Sequence, residues 1–76
     1  MADLTLDVQG LQCPMPILKT KKAVAALPKG ATIEVLATDP GAPADFEAFC
    51  EQSRNTLLES TESGGVFRFV IQHSGA

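Results

Sequence analysis

Residues 13–16 read Cys-Pro-Met-Pro, and neither a strand interior nor a helix interior runs through two prolines set one residue apart. Each proline lacks the N–H that both ladders use, and Met15, standing before Pro16, is pushed away from the helical region. The segment is therefore a joint, and the residues on its two sides follow different periods. Before it, Leu4, Leu6 and Val8 alternate with Thr5 and Asp7, the period of a half-buried strand that Gly10 closes. After it, Ile17, Thr20, Val24 and Leu27 recur at helical spacing with lysines on other faces, which predicts a helix over 17–27 closed by Pro28-Lys29-Gly30. Proline is best tolerated in the first helical turn, so two registers are open at the joint: Cys13 as N-cap with Pro14 first, or Met15 as N-cap with Cys13 just outside.

The rest of the chain repeats the alternation of periods. Ile33, Val35 and Ala37, with Leu36 facing the other way, predict a second strand ending at Asp39-Pro40-Gly41. Pro43 suits a first helical turn, and Phe46, Phe49, Cys50 and Leu57 follow at near-helical spacing, predicting a second helix over 43–54. A short strand is expected over 56–59. Across Ser63-Gly64-Gly65 it would form a hairpin with 66–71, whose Val-Phe-Arg-Phe-Val-Ile is the strongest strand signal in the chain. The expected architecture is an α/β two-layer sandwich of the α+β type. In it a four-stranded mixed sheet in βαβαββ order carries two helices on one face, with a right-handed first crossover. At 76 residues the chain has room for one domain, 1–76, and only its ends, above all Ser74-Gly75-Ala76, look loose.

Composition narrows the function classes. With 45% hydrophobic residues the chain can fold without a metal or a disulfide framework. The first residues lack the basic and apolar stretches of a secretion signal, and no apolar run is long enough to span a membrane. The expected location is the cytoplasm, where Cys13 and Cys50 would be thiols rather than a bridge. A net charge of −3 disfavours stable binding to nucleic acid. Lys19, Lys21, Lys22 and Lys29 nevertheless cluster, and the first three form a candidate face for docking a partner protein.

Cys13 is the candidate reactive residue. It stands between the first strand and the first helix, where the helix macrodipole favours a thiolate. Pro14 and Pro16 each remove an amide that could have bonded the anion, so stabilisation must rest on the dipole, the remaining amides and Lys19. Cys50, flanked by Phe46 and Phe49 on one helix face, reads as a buried core thiol. His73 stands alone near the C-terminus, and with Cys13 and Cys50 it has no zinc-site spacing. Asp39 reads as a turn former and Asp45 as a residue suited to a helix start. Phe67 and Phe69 read as core, and the glycines form no phosphate loop.

Over nearly its whole length the chain resembles the TusA/SirA-like sulfur-carrier family. The matching residues are Leu6-Asp7-x-x-Gly10-Leu11-x-Cys13-Pro14-x-Pro16, Thr38-Asp39-Pro40, Asp45-Phe46, Phe49-Cys50, Leu57-Leu58 and Phe67-Arg68-Phe69-x-Ile71. The resemblance implies a sulfurtransferase that accepts sulfur as a persulfide on Cys13, with Gly10, Pro14 and Pro16 shaping the motif, and passes it to a partner. No cofactor is required. The implied partners are a donor of the cysteine desulfurase or rhodanese type and a protein acceptor, met by a monomer in a relay serving tRNA thiolation, molybdenum-cofactor maturation or sulfur oxidation. In one place the pattern departs: Arg54-Asn55 stands where carriers resembling the tRNA-thiolation protein often have Gly-His or Glu-His. The competing readings are a noncatalytic regulatory or redox-sensing module and, by fold analogy alone, a direct RNA binder.

Overall fold

Strands and helices follow one another as β1 (Leu4–Asp7), α1 (Met15–Ala25), β2 (Thr32–Ala37), α2 (Ala42–Ser53), β3 (Thr56–Ser63) and β4 (Val66–Gln72) in the computed structural model, which describes residues 2–75. One mixed sheet has the order β1-β2-β4-β3, with β1 parallel to β2 and the other neighbours antiparallel. This is the expected βαβαββ sandwich, with both helices on one face.

The register explains why that face is apolar. Ile33 pairs with Ile71, Val35 with Phe69 and Ala37 with Phe67, so residues of equal parity on the two central strands share the helix side. From the helices, Val24, Ala42, Phe46, Phe49 and Cys50 pack against them. Phe46 and Phe69 stack with ring centroids 4.3 Å apart and planes within 8°, joining α2 to the sheet centre. On the other face Arg68 donates from Nε to Glu34 and from Nη1 to Glu59 (3.0 Å), bridging β2, β4 and β3. The Glu34 carboxyl is held below its ordinary range chiefly by that bond from Arg68.

Several boundaries differ from expectation. Helix α1 begins two residues earlier than 17, and its N-cap is Pro14, so neither expected register holds; Cys13 lies just outside and Pro16 enters the first turn. Pro16, Thr20 and Val24 form its buried stripe, and the Thr20 hydroxyl donates to the Pro16 carbonyl at 2.8 Å, which satisfies a buried polar group within the helix. Helix α2 ends at Ser53 because Arg54 takes the left-handed conformation (φ 64°), and Leu57 belongs to β3. Strand β3 is twice the expected length, continuing to Ser63 past a bulge between Leu57 and Glu59. Its polar sequence hid it, since an edge strand exposed over most of its length needs no apolar alternation. Gly64 and Gly65 both have positive φ (58° and 85°), the geometry of a tight hairpin turn that only glycine adopts without strain.

The C-terminal segment is tied down rather than loose. His73 donates its backbone N–H to Ala31 (2.8 Å), accepts from Gly30 (2.8 Å) and places Nδ1 2.9 Å from the Leu27 carbonyl. The backbone N–H of Ser74 donates to Asn55 Oδ1 at 3.0 Å; Ala76 lies outside the described residues. At the opposite edge Leu4, at the start of β1, is 42% exposed, whereas Val8, just past the end of that strand, is fully buried.

Candidate functional site

Parallel pairing of β1 with β2 sends the loops that follow them, and hence the N-termini of α1 and α2, to the same end of the sheet. That end is where an α/β sheet presents its functional groups. The two loops are joined directly: the Gly10 N–H donates to Thr38 Oγ1 at 2.8 Å, and Gly10 reaches this position with φ 81°. Gly10 thus sets the path of the chain into the Cys13 segment. The Leu11 N–H bonds Val8 (3.2 Å), the Met15 N–H bonds Gln12 (2.9 Å) and the Leu18 N–H bonds Pro14 (3.1 Å), so the backbone on both sides of Cys13 is pinned. The Cys13–Pro14 peptide bond is cis.

Cys13 is exposed, with a free thiol, and stands on the ridge between two concavities. One is a groove of about 400 Å³ between the helices, walled by Pro14, Ile17, Ala48 and Phe49 and carrying Lys21 and Asp45. The other, of about 420 Å³, lies over the two loops and is walled by Gly10, Leu11, Gln12, Thr38, Asp39 and Pro40. The thiol is therefore reachable from an apolar side and from a polar side.

Charge around the sulfur differs from expectation. The Asp45 carboxylate, which lines the interhelical groove together with Cys13, is the largest influence holding that thiol above its ordinary value of 9.0, followed by partial desolvation and the charge of Asp39. The α1 terminus favours a thiolate, but the two carboxylates nearby favour the proton. Gly41 lets them approach: a Cβ there would lie 3.3 Å from Asp39 Oδ2 and 3.7 Å from Asp45 Oδ2. Asp39 and Asp45 do serve the turn and the first turn of α2, yet they also face the candidate residue. The signal available in the sequence was topological, since residues that follow two adjacent parallel strands must meet at one end.

The three candidate lysines are all exposed, and one of them lines the groove. Lys21, one turn after Ile17, enters the interhelical groove, whereas Lys19 and Lys22 are exposed and absent from its walls. Lys21, not Lys19, is the lysine that lines this groove with Cys13. Beside Lys19 and Lys22, Met15 (42% exposed) and Leu18 (50%) stand out as large apolar side chains left in water. Pro16 is buried and supports the motif from beneath. Cys50 is buried in the core, and burial pushes its thiol up to about 11. Asn55 donates from Nδ2 to Ser53 Oγ (2.9 Å) and accepts from Ser74, so Arg54-Asn55 closes α2 and anchors the C-terminus, well away from Cys13 in the chain. Among the described residues, no three His, Cys, Asp or Glu side chains are grouped so as to hold a metal ion, and no helix is long and apolar enough to cross a membrane.

The family model for sulfurtransferase TusA matches residues 4–73. The chain belongs to the TusA family. A protein of Neisseria meningitidis serogroup A, named for a sulfur-carrier role, is 58% identical over 69 residues, covering 91% of this chain and 93% of its own. The sulfur carrier protein TusA of Allochromatium vinosum is 50% identical over 72 residues, covering 95% of each. A crystal structure of a SirA-like protein from Desulfitobacterium hafniense superposes with a TM-score of 0.83 at 26% identity, covering 93% of this chain and 97% of that one. Membership of the TusA family brings with it the general role of a sulfur carrier, a protein that relays sulfur between partners.

Proposed function

We propose that this TusA-family protein carries sulfane sulfur as a persulfide on Cys13 within a cytoplasmic relay. The observation that carries the assignment is the contrast in access: Cys13 is exposed between two concavities, and Cys50 is sealed in the core. Sulfur moves by attack of the Cys13 sulfur on the outer sulfur of a donor persulfide, whose inner sulfur departs as thiolate. An acceptor thiolate then attacks the outer sulfur of Cys13–S–SH and Cys13 leaves. Bonds and charge balance in both halves without an added oxidant or reductant. The donor is a cysteine desulfurase or rhodanese-type protein and the acceptor a protein thiol. Supply to tRNA thiolation, molybdenum-cofactor maturation or sulfur oxidation is consistent with this chemistry.

Gly10, Pro14 and Pro16 shape the Cys13 segment, and Lys19, Lys21 and Lys22 supply the positive charge that guides partners on an otherwise acidic protein. The test is intact mass after incubation with a cysteine desulfurase and L-cysteine. One added sulfur, mapped to Cys13 by peptide digestion and removed by a reducing thiol, is the expected result. No added sulfur with either donor class leaves a noncatalytic regulatory module as the better reading.

A further inference from the structure

The Cys13 sulfur has a carboxylate for a neighbour, an arrangement opposite to the one that makes a thiol indiscriminately reactive. Three elements bring charge to it. From α2 comes Asp45, which lines the interhelical groove with Cys13; from the β2–α2 loop comes Asp39, which lines the polar concavity with Cys13 and stands beside Asp45 across Gly41; from α1 comes Lys21, in the same groove as Asp45. Asp45 is half-buried in the first turn of α2, where its backbone N–H bonds Gly41 at 3.1 Å, so the carboxylate is delivered by a fixed element rather than by a mobile loop.

Resting on the reading of Cys13 as the sulfur carrier, we infer that Asp45 is the positioning residue of the transfer step: from the wall of the interhelical groove that it shares with Cys13, its carboxylate takes up the proton that leaves the sulfur when a partner engages. The chemistry follows from the geometry. In the free protein the neighbouring carboxylate favours the protonated sulfur, a poor nucleophile, because the thiolate, not the thiol, attacks sulfur. When a donor persulfide R–S–SH enters, the Cys13 sulfur bonds to its outer sulfur, the S–S bond of the donor breaks, and R–S⁻ departs with the electron pair. The proton released from Cys13 passes by way of Asp45 to R–S⁻, so the sum is Cys13–SH plus R–S–SH giving Cys13–S–SH plus R–SH. The outer S–H of the loaded carrier then takes the place of the thiol beside Asp45, and Lys21 supplies the opposite charge to any persulfide anion in the groove. Such a site resists casual exchange with small thiols and reserves its sulfur for a partner that covers it.

The test compares wild type with Asp45→Asn, Asp45→Glu and Asp39→Asn. Carbamidomethylation of Cys13 by iodoacetamide, which is uncharged, is followed from pH 6 to pH 10. Circular dichroism of each variant confirms its fold. For Asp45→Asn the profile is expected to move to lower pH, with severalfold faster alkylation at pH 7. Asp45→Glu should retain the slow wild-type behaviour in large part, and Asp39→Asn should move the profile less than Asp45→Asn. In a second arm, protein loaded with sulfur is exposed to 2-mercaptoethanol, and Asp45→Asn should lose its sulfur severalfold faster than wild type. Coincident profiles for wild type and Asp45→Asn overturn the inference, as does an Asp39→Asn shift equal to that of Asp45→Asn, which would reduce the effect to general surface charge. If wild type cannot be loaded, the carrier reading fails, while the alkylation profiles still decide whether Asp45 governs the thiol.

Discussion

Cys13 and Cys50 are both held above the ordinary thiol value, for unlike reasons. At Cys13 the cause is first the Asp45 carboxylate and then partial desolvation and the charge of Asp39; at Cys50 it is desolvation among Phe46, Phe49 and the sheet. The effect of charge at an exposed site is reversible, because a docking partner can screen the carboxylate. Burial is not, short of unfolding. The same side chain is thus left within reach of a partner in one region and sealed away in the other, and the difference lies in what surrounds the sulfur.

Five experiments bear on that contrast, in order of expected effect. Cys13→Ser should abolish sulfur loading and keep the fold, since the residue is exposed ahead of the α1 cap; loading at the wild-type level in this variant breaks the contrast outright. Around Cys50, Phe46→Ala removes the ring stacked on Phe69 and should cost about 3–5 kcal/mol in urea denaturation, the usual toll of emptying an aromatic site in a core. Cys50→Ala should lower stability by about 1–2 kcal/mol and leave loading intact; loss of loading with an intact fold would move Cys50 out of the core class. The fourth test uses alkali. A buried thiol whose value rises from 9.0 to about 11 on folding contributes stability that is fully present below pH 9 and is lost as pH rises toward about 11. Thermal melts should therefore fall across that window in wild type and fall less steeply in Cys50→Ala. Smallest is the effect of charge on the outer face of α1: Lys19→Glu with Lys22→Glu should slow transfer from a donor protein severalfold at low salt and little at 1 M salt, where screening is nearly complete. Transfer rates equal to wild type at low salt would leave these lysines with no part in docking.

Much of this arrangement was legible in the sequence because the periods of its segments differ. Leu6, Val8, Ile33, Val35 and Phe69 announce strands, and Thr20, Val24, Phe46 and Phe49 announce helix faces, so element order and the βαβαββ sheet followed. Strand β3 beyond Glu59 was not legible, since Ser60-Thr61-Glu62-Ser63 carries no apolar signal and is held only by pairing with β4. The α1 cap was misplaced because the restriction that Pro16 puts on Met15 is a preference that the surrounding packing outweighed. Cys13 was singled out as the candidate residue by its motif, whereas the charge around it was not legible. Asp39 and Asp45 each had a sufficient local role, and only the parallel pairing of β1 with β2 brings them to the sulfur. His73 and Ser74 were misjudged in the same way: their partners Leu27, Gly30, Ala31 and Asn55 are far off in the chain.

Strand β3 closes one side of the sheet and has no neighbour beyond it. A bare row of backbone donors and acceptors invites another chain to add itself, which repeated from copy to copy would mean ribbons. The bulge between Leu57 and Glu59 interrupts that row just where Leu58 is exposed, and Glu59 and Glu62 charge the stretch that follows. Two molecules approaching along this border bring like charges together. The polar sequence that conceals the strand from a reader of the primary structure also makes this border a poor template for another strand.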